Sequence, residues 1–332
     1  MLVISKDKST LMKGIVIIMM VFLHLFNDNH TAECTNLLYI GDVPFAKWLS
    51  NACGPVPFFL LFSGYGLAFT YERKGLFFSG QLRRIFKLYV HYWIILTVFL
   101  IIGWYMYPDR YPGTWWRLLI NVLAWKTDYN HSMWFLFPYC LVALTSRNII
   151  QTIDKLGYLK SVVLSAVINF GACYIISRYH ATMLADFGFL SLCVVYLQFL
   201  YPFTVGVVFY RGDFQWNKQM PQWLVLLIMT CVVVIVATIT VSVIYIIYVP
   251  IMVLLFCQLS VPKWLEILLL ELGRKSMAIW MIHTWYSHYL FHEQVYSLKY
   301  PVLIFGGVLI VSYLTAIPVM WAAKKSLAAM KL

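Results

Sequence analysis

His24 is the residue of this sequence that is best placed to move a proton in an apolar environment. It lies in the run Val21 to Leu25, 11 residues after Lys13, which is ~16 Å along a helix and roughly halfway through a bilayer. An ionisable side chain at that depth is costly, and a neutral imidazole is a general base near neutral pH. Asp28 follows one helical turn later on the same face, and we predict that it orients His24. The alternative is a buried histidine that only hydrogen-bonds to a neighbouring helix.

Three cations at the start of the third apolar segment are arranged to bind an anion. Arg83, Arg84 and Lys87 lie within one helical turn, in the loop with the densest positive charge of the chain. Guanidinium and ammonium groups at this spacing suit phosphate or pyrophosphate. Part of the pattern is expected in any membrane protein, because lysine and arginine collect at the cytoplasmic rim.

The second apolar segment contains the run Phe58 to Gly66, in which two glycines flank a tyrosine. Gly64 and Gly66 predict a close approach of two helix backbones, and Ser63 can donate a hydrogen bond across such a gap. We expect Ser63 and Tyr65 to orient a substrate, with the serine hydroxyl able to donate to an oxyanion. Helix packing alone is the alternative interpretation.

Other polar side chains lie near the outer ends of the predicted helices. His131 and Trp134 are at the outer start of the fourth segment, and His283 lies within the ninth. We expect these three residues to contact or orient a polar substrate. His288 and His292 have the i, i+4 spacing of two metal ligands, but the sequence indicates no third ligand, so no metal is expected.

The elements that carry these residues follow from the composition. Of the 332 residues 62% are hydrophobic and 11% are charged, and the mean hydropathy is +0.78. A soluble protein has about 25% charged residues. The composition therefore excludes a secreted soluble enzyme, a nucleic-acid-binding domain and a disordered chain. The net charge of +12 is attributed to the membrane rim and not to a nucleic-acid partner.

Ten apolar segments can be counted along the chain. Because lipid leaves a bare backbone without hydrogen bonds, each segment is expected to be a helix. The sequence thus predicts an all-α integral membrane protein, a bundle of about ten transmembrane helices. The segments cover residues 11–27, 54–72, 88–107, 132–147, 160–177, 188–210, 222–240, 242–259, 275–292 and 301–323.

The distribution of lysine and arginine sets the expected orientation. Of these 25 residues, 19 fall in the two termini and the even-numbered loops, and 6 fall in the odd-numbered loops. The bias predicts that both termini are cytoplasmic, in a multi-pass protein of the cytoplasmic (inner) membrane. Cys34 and Cys53 share the first outer loop, and the sequence leaves open whether they form a disulfide.

Together these features resemble the integral-membrane acyltransferase family three, whose members O-acetylate bacterial surface glycans. The resemblance extends over essentially the whole chain, so residues 1–332 are expected to form a single transmembrane acyltransferase domain. Family members commonly have arginine at the positions of Lys13 and Lys87, and lysine keeps the charge but lacks the bidentate fork. The resemblance rests on five short stretches in the family's order: Lys13-Gly14-Ile15 through Phe22-Leu23-His24, Phe58 to Gly66, Arg83 to Lys87 with Tyr92-Trp93, Met133 to Leu136, and Ser276 to His283.

The resemblance implies transfer of an acyl group, most simply acetyl, from cytoplasmic acetyl-CoA to a hydroxyl of a cell-surface or lipid-linked glycan. His24 would be the general base, with Asp28 beside it, and Lys13 would join the three cations of the third segment in binding the phosphates of acetyl-CoA. A route through an acyl-enzyme stays open. Two other classes of function are a transporter or flippase for a lipid-linked glycan, for which no inverted repeat is found, and a scaffold or sensor without chemistry.

Overall fold

The computed structural model describes residues 4–27, 29–179, 188–212 and 219–331, and these ranges are almost entirely helical. The helices are α1 (Lys6–Phe26), α2 (Phe45–Ser50), α3 (Pro55–Lys74), α4 (Phe78–Met106), α5 (Trp115–Val122), α6 (Leu136–Leu156), α7 (Tyr158–Tyr179), α8 (Phe189–Arg211), α9 (Gln222–Thr238), α10 (Tyr245–Gln258), α11 (Lys263–Thr284), α12 (His292–Tyr296) and α13 (Pro301–Ala329).

Shorter elements connect these helices. Strands β1 (Tyr39–Ile40) and β2 (Val43–Pro44) form a two-stranded antiparallel ribbon. A π-helical turn (Trp285–Leu290) follows α11 directly. The described 3-10 turns cover Asn29–Glu33, His131–Phe135 and Ser242–Ile244.

The predicted helical membrane fold is confirmed in its class. Seven helical stretches of the described residues are long and apolar enough to cross a membrane, and all ten predicted apolar segments fall on helix. The chain is therefore a multi-pass membrane protein. The count of ten spans and the cytoplasmic position of the termini stay predictions. The seven stretches are Lys6–Phe26, Phe45–Lys74, Phe78–Met106, His131–Leu156, Tyr158–Tyr179, Phe189–Arg211 and Pro301–Ala329.

The described residues divide into two compact units, whereas the expectation of a single domain over the whole chain stays a prediction. The first unit takes its residues from Met1–Met12, Gly54–Leu82 and Pro138–Glu266. The second takes its residues from Lys13–Cys53, Arg83–Phe137 and Ile267–Leu332.

Helices α3 and α8 of the first unit approach each other closely at two glycines. A Cβ atom added at Gly64 would lie 2.1 Å from the carbonyl oxygen of Phe203, and one added at Gly206 would lie 2.0 Å from that of Leu61. Only glycine allows this separation. At Gly66 an added Cβ would meet no atom of the described residues within 4 Å. The predicted close approach is thus confirmed at Gly64 and wrong at Gly66.

In the second unit, α1 lies against α11 at a glycine. A Cβ added at Gly14 would be 2.2 Å from the carbonyl oxygen of Leu269. Helix α4 is tied to α5 because the Tyr92 hydroxyl and the Trp93 indole donate to the last carbonyls of that helix, at 2.6 and 2.9 Å. These contacts fix the helices that carry His24 and the cations of α4.

Both cysteines of the loop that follows α1 are free thiols in the structure and both are buried. Burial raises the pKa of the Cys34 thiol to about 11, and the charge of Glu33 adds to this effect. Cys34 is therefore a protonated thiol at neutral pH.

Candidate active site

Asn130 and Ser132 form the polar centre of the second unit. Asn130 is the N-cap of the turn His131–Phe135, and its Oδ1 accepts from the Ser132 amide at 3.1 Å, as the short side chain of asparagine favours. The same Oδ1 accepts from the Thr284 hydroxyl at 2.9 Å, and the Trp280 indole donates to the Ser132 carbonyl at 3.1 Å. Helix α11 therefore holds this turn at two points.

His24 contacts this turn directly. Its Nδ1 lies 2.9 Å from Ser132 Oγ, and the imidazole is half-buried while the serine is buried. If Nδ1 donates to the hydroxyl, Nε2 carries the lone pair and acts as a general base. If the hydroxyl donates to Nδ1, the pair has the geometry of a serine nucleophile with a histidine base. Both arrangements serve proton and group transfer.

His283 lies beside His24 and is completely buried. The two ring centroids are 5.0 Å apart. His283 Nδ1 donates to the carbonyls of Ile279 and Trp280 at 3.1 and 2.9 Å, because a carbonyl oxygen only accepts. Its Nε2 has no hydrogen-bond partner among the described residues. A buried ring nitrogen without a hydrogen-bond donor costs free energy. A bound hydroxyl or a water molecule that donates to Nε2 would remove this cost.

The predicted phosphate-binding cations all lie in the second unit, on two helices. Lys13 is half-buried on α1, while Arg83 and Arg84 are exposed and Lys87 is half-buried on α4. The Arg83 guanidinium donates to the carbonyl of Lys331 at 3.3 Å. Ion pairs in the described part of the chain use other basic residues, and none includes Lys13, Arg83 or Lys87. Within the described ranges, Lys13, Arg83 and Lys87 thus have no carboxylate that compensates their charge.

Ser63 and Tyr65 belong to the first unit and not to the second. Ser63 Oγ is 3.3 Å from the Tyr139 hydroxyl, and the Tyr65 hydroxyl accepts from the backbone amide of Ile4 at 2.9 Å. These bonds give both side chains a structural role within their own unit. The expectation that they orient a substrate stays a prediction.

His131 and Trp134 flank Ser132 on the same turn. The His131 side chain is exposed and Trp134 is half-buried. The backbone amide of His131 donates to the Tyr289 hydroxyl at 2.7 Å, which fixes the start of the turn. Asp28, predicted to orient His24, lies outside the described residues.

A second histidine group lies just beyond the C-terminal ends of α1 and α11, close to the first. His30 Nδ1 is 2.7 Å from Glu33 Oε1, and His292 Nε2 is 2.9 Å from Glu33 Oε2. The His288 ring lies between the two groups, with its centroid 6.4 Å from that of His24 and 5.2 Å from that of His30. The hydrogen bond with His30 is the main reason that the pKa of Glu33 is below its usual range.

Sequence reasoning missed two residues of these sites, Ser132 and Glu33. The available signal for Ser132 was its position two residues after Asn130, a spacing typical of an N-cap at the start of a helical segment. Glu33 had no comparable signal, because a single carboxylate in a polar loop is ordinary. Glu33 stands out only in the structure, because the side chain of His292, 259 residues later in the chain, contacts its carboxylate.

Comparison with known proteins adds one finding. A family model described as an acyltransferase domain matches residues 8–321, which is nearly the whole chain and includes every residue of both histidine groups. No curated protein and no solved structure is matched by the chain.

Proposed function

Since this chain belongs to acyltransferase family three and is a membrane acyltransferase, we propose that it is an O-acyltransferase that uses cytoplasmic acyl-CoA, most simply acetyl-CoA. The proposed acceptor is a hydroxyl of a cell-surface or lipid-linked glycan. The observation that carries the chemical part of the proposal is the contact of His24 with the buried hydroxyl of Ser132, at 2.9 Å.

The proposed reaction needs one proton to be moved twice. His24 takes the proton from the acceptor hydroxyl as its oxygen attacks the thioester carbonyl carbon, and a tetrahedral intermediate forms. The C–S bond then breaks, and the imidazolium returns the proton to the thiolate of coenzyme A. The new ester and the free thiol are the products. No metal takes part in this scheme.

Ser132 is the residue best placed to orient His24. In the tautomer with hydrogen on Nδ1, the imidazole donates to Ser132 Oγ and presents Nε2 to the acceptor. The N-cap bond of Asn130 and the indole of Trp280 hold the backbone of Ser132. The serine hydroxyl is therefore held in position to orient the imidazole of His24, as a third group orients the base in other catalytic sites. His283 Nε2, which is buried beside it, supplies an acceptor for the same hydroxyl or for a water molecule.

The cations of α1 and α4 support a coenzyme A donor. Its phosphates are anionic, and Lys13, Arg83 and Lys87 have no carboxylate partner among the described residues. The narrow pantetheine arm suits entry between helices towards His24. With the termini in the cytoplasm of the inner membrane and ten crossings of the bilayer, as we propose, the cations would meet the donor and the acceptor would approach from the opposite side.

Replacement of Arg84 by alanine is expected to raise the apparent KM for acetyl-CoA by about 10-fold to 100-fold with little change in kcat, because a charged hydrogen bond to phosphate contributes about 1.5–3 kcal/mol. Steady-state kinetics on the purified protein would measure this. Arg274→Ala is the matched control, since Arg274 already pairs with Glu271 at 2.6 Å. An unchanged KM in the Arg84 variant, or an equal rise in both variants, would contradict a role in donor binding.

The function itself is tested on the surface glycans of the host. Proton NMR would compare O-acetyl groups in a strain lacking the gene with strains complemented by the wild type and by His24→Ala. We expect the acetyl signal to disappear on deletion and to return only with the wild type. If acetylation is unchanged while glycan export falls, the transporter or flippase interpretation replaces this proposal.

A direct binding measurement completes the test. The purified protein in detergent is expected to bind coenzyme A, and added coenzyme A should raise its melting temperature. A transporter or scaffold would show neither effect.

A further inference from the structure

Three side chains from distant parts of the second unit converge on one point outside the candidate active site. His30 and Glu33 lie on the 3-10 turn Asn29–Glu33, and His292 begins α12. One nitrogen of each histidine and one oxygen of Glu33 all lie within 4.8 Å of one another. None of the three has a role in the acyl transfer proposed above.

The hydrogen bonds of His292 determine what lies between it and Glu33. Its Nδ1 is 2.8 Å from the carbonyl of Ser287, and because a carbonyl only accepts, Nδ1 carries a hydrogen. A neutral imidazole then has a lone pair on Nε2, which lies 2.9 Å from a carboxylate oxygen of Glu33. Two lone pairs at that distance repel, so the geometry requires a positive centre between them, either a proton or a metal ion.

The donor set favours a metal. Two imidazole nitrogens and one carboxylate oxygen form a common protein ligand set for Zn²⁺, with a fourth position left to water or substrate. The bond from His292 Nδ1 to the Ser287 carbonyl is the outer-shell contact that fixes a ligating histidine. We propose that His30, Glu33 and His292 bind a Zn²⁺ ion.

The distances fit with small movements. Ligand atoms of a tetrahedral zinc are roughly 3.3 Å apart, compared with the observed 2.7 Å and 2.9 Å. The two distances end on different oxygens of Glu33, and the three ligand atoms lie within 4.8 Å of one another, so binding of one ion requires shifts of up to about 1.5 Å. The side chains of His30, Glu33 and His292 are 30%, 44% and 28% exposed, which leaves room for such shifts. The same exposure leaves the fourth position open to solvent.

The proposed site uses a ligand set that differs from the pair suggested by the sequence. The sequence suggested His288 and His292 as two ligands without a third. In the structure His292 is grouped with His30 and Glu33, so the third ligand comes from the loop after α1. The ion would tie that loop to α12, and the inference does not depend on the proposed acyl transfer.

Zinc binding is tested on the full chain in detergent after treatment with a chelator. We would titrate ZnCl₂ in competition with a chromophoric zinc chelator and measure bound zinc by mass spectrometry. The wild type is expected to retain one Zn²⁺ per chain. Glu33→Gln and His292→Ala are each expected to weaken binding by at least about 10-fold, and His91→Ala, which removes a histidine of the same unit outside the site, should bind as the wild type does.

The comparison also separates a proton from a metal. Glu33 is exposed and glutamine has nearly the same size, so Glu33→Gln tests the ligand without disturbing packing. If the wild type retains no more zinc than Glu33→Gln, or if His91→Ala weakens binding as much as His292→Ala, the proposal is overturned. Absence of zinc from the wild type would also overturn the proposal and would assign the positive centre between His292 and Glu33 to a proton.

Discussion

Replacement of His24 by alanine is expected to lower the rate of acyl transfer by about 10²-fold to 10⁴-fold, the usual contribution of a general base. No described histidine other than His24 contacts Ser132 Oγ, and the adjacent His283 is completely buried and held by its own helix. In the proposed scheme His283 accepts from the same hydroxyl, but among the described residues it lacks the serine contact that orients His24 as the base. Turnover of radiolabelled acetyl-CoA by the purified variant would measure the loss.

The control for this experiment is His91→Ala, a histidine of the same unit on α4. Its Nδ1 donates to the carbonyl one turn earlier, at 2.8 Å, and it lies in neither histidine group. We expect it to retain activity, and we expect both variants to be inserted and monodisperse in detergent. If His24→Ala keeps the wild-type rate, His24 is not the base and the mechanism proposed above fails.

Ser132→Ala then separates the two arrangements of the His24–Ser132 pair. An orienting serine should cost about 10-fold to 100-fold in kcat, with a pH profile that shifts because the base has lost its partner. A nucleophilic serine should cost as much as His24 does and should trap label on the wild-type protein as an acyl-serine. Mass spectrometry of the acid-quenched enzyme distinguishes the two results.

A methyl group at Gly64 is expected to destabilise the first unit strongly. In Gly64→Ala the new Cβ would lie 2.1 Å from the carbonyl oxygen of Phe203, so α3 and α8 must move apart along a buried contact. Overpacking of this kind costs about 1–3 kcal/mol. The midpoint of thermal unfolding, followed by size-exclusion chromatography of the heated protein in detergent, should fall by several degrees.

Gly66 provides the matched control two residues away on the same helix. An added Cβ there meets none of the described neighbouring atoms within 4 Å, so Gly66→Ala is expected to leave the unfolding midpoint unchanged or to raise it slightly, because alanine favours helix more than glycine does. Gly206→Ala, which meets the Leu61 carbonyl at 2.0 Å, should behave like Gly64→Ala. Equal effects of Gly64→Ala and Gly66→Ala would show that the destabilisation does not come from the close approach of α3 to α8.

The helical part of the fold could be predicted because apolar runs in lipid have few alternatives to helix. All ten predicted segments fall on helix, although α9 and α10 are shorter than a usual span and α11 begins with charged residues. Hydropathy identifies an apolar run, but it does not indicate which face of the resulting helix packs against another helix. This is why Gly64 and Gly66 were indistinguishable in the sequence and differ in the structure.

The site was predictable in part. His24 could be identified because a mid-membrane imidazole is unusual by itself. Ser132 and Glu33 could not, because a serine and a glutamate near helix ends are common, and their significance arises only when a distant histidine approaches them. His292 similarly needed the structure, since its spacing suggested His288 as a partner, whereas its Nε2 lies 2.9 Å from Glu33.

The π-helical turn Trp285–Leu290 separates the two histidine groups in a way that has an evolutionary consequence. Deletion of one residue from this turn would change the register of the chain between His283 and His292. His292 would then leave Glu33, and Tyr289, whose hydroxyl holds the start of the Ser132 turn, would move as well. A single-codon insertion or deletion in this turn is therefore expected to disturb both histidine groups at once, so that both constrain its length.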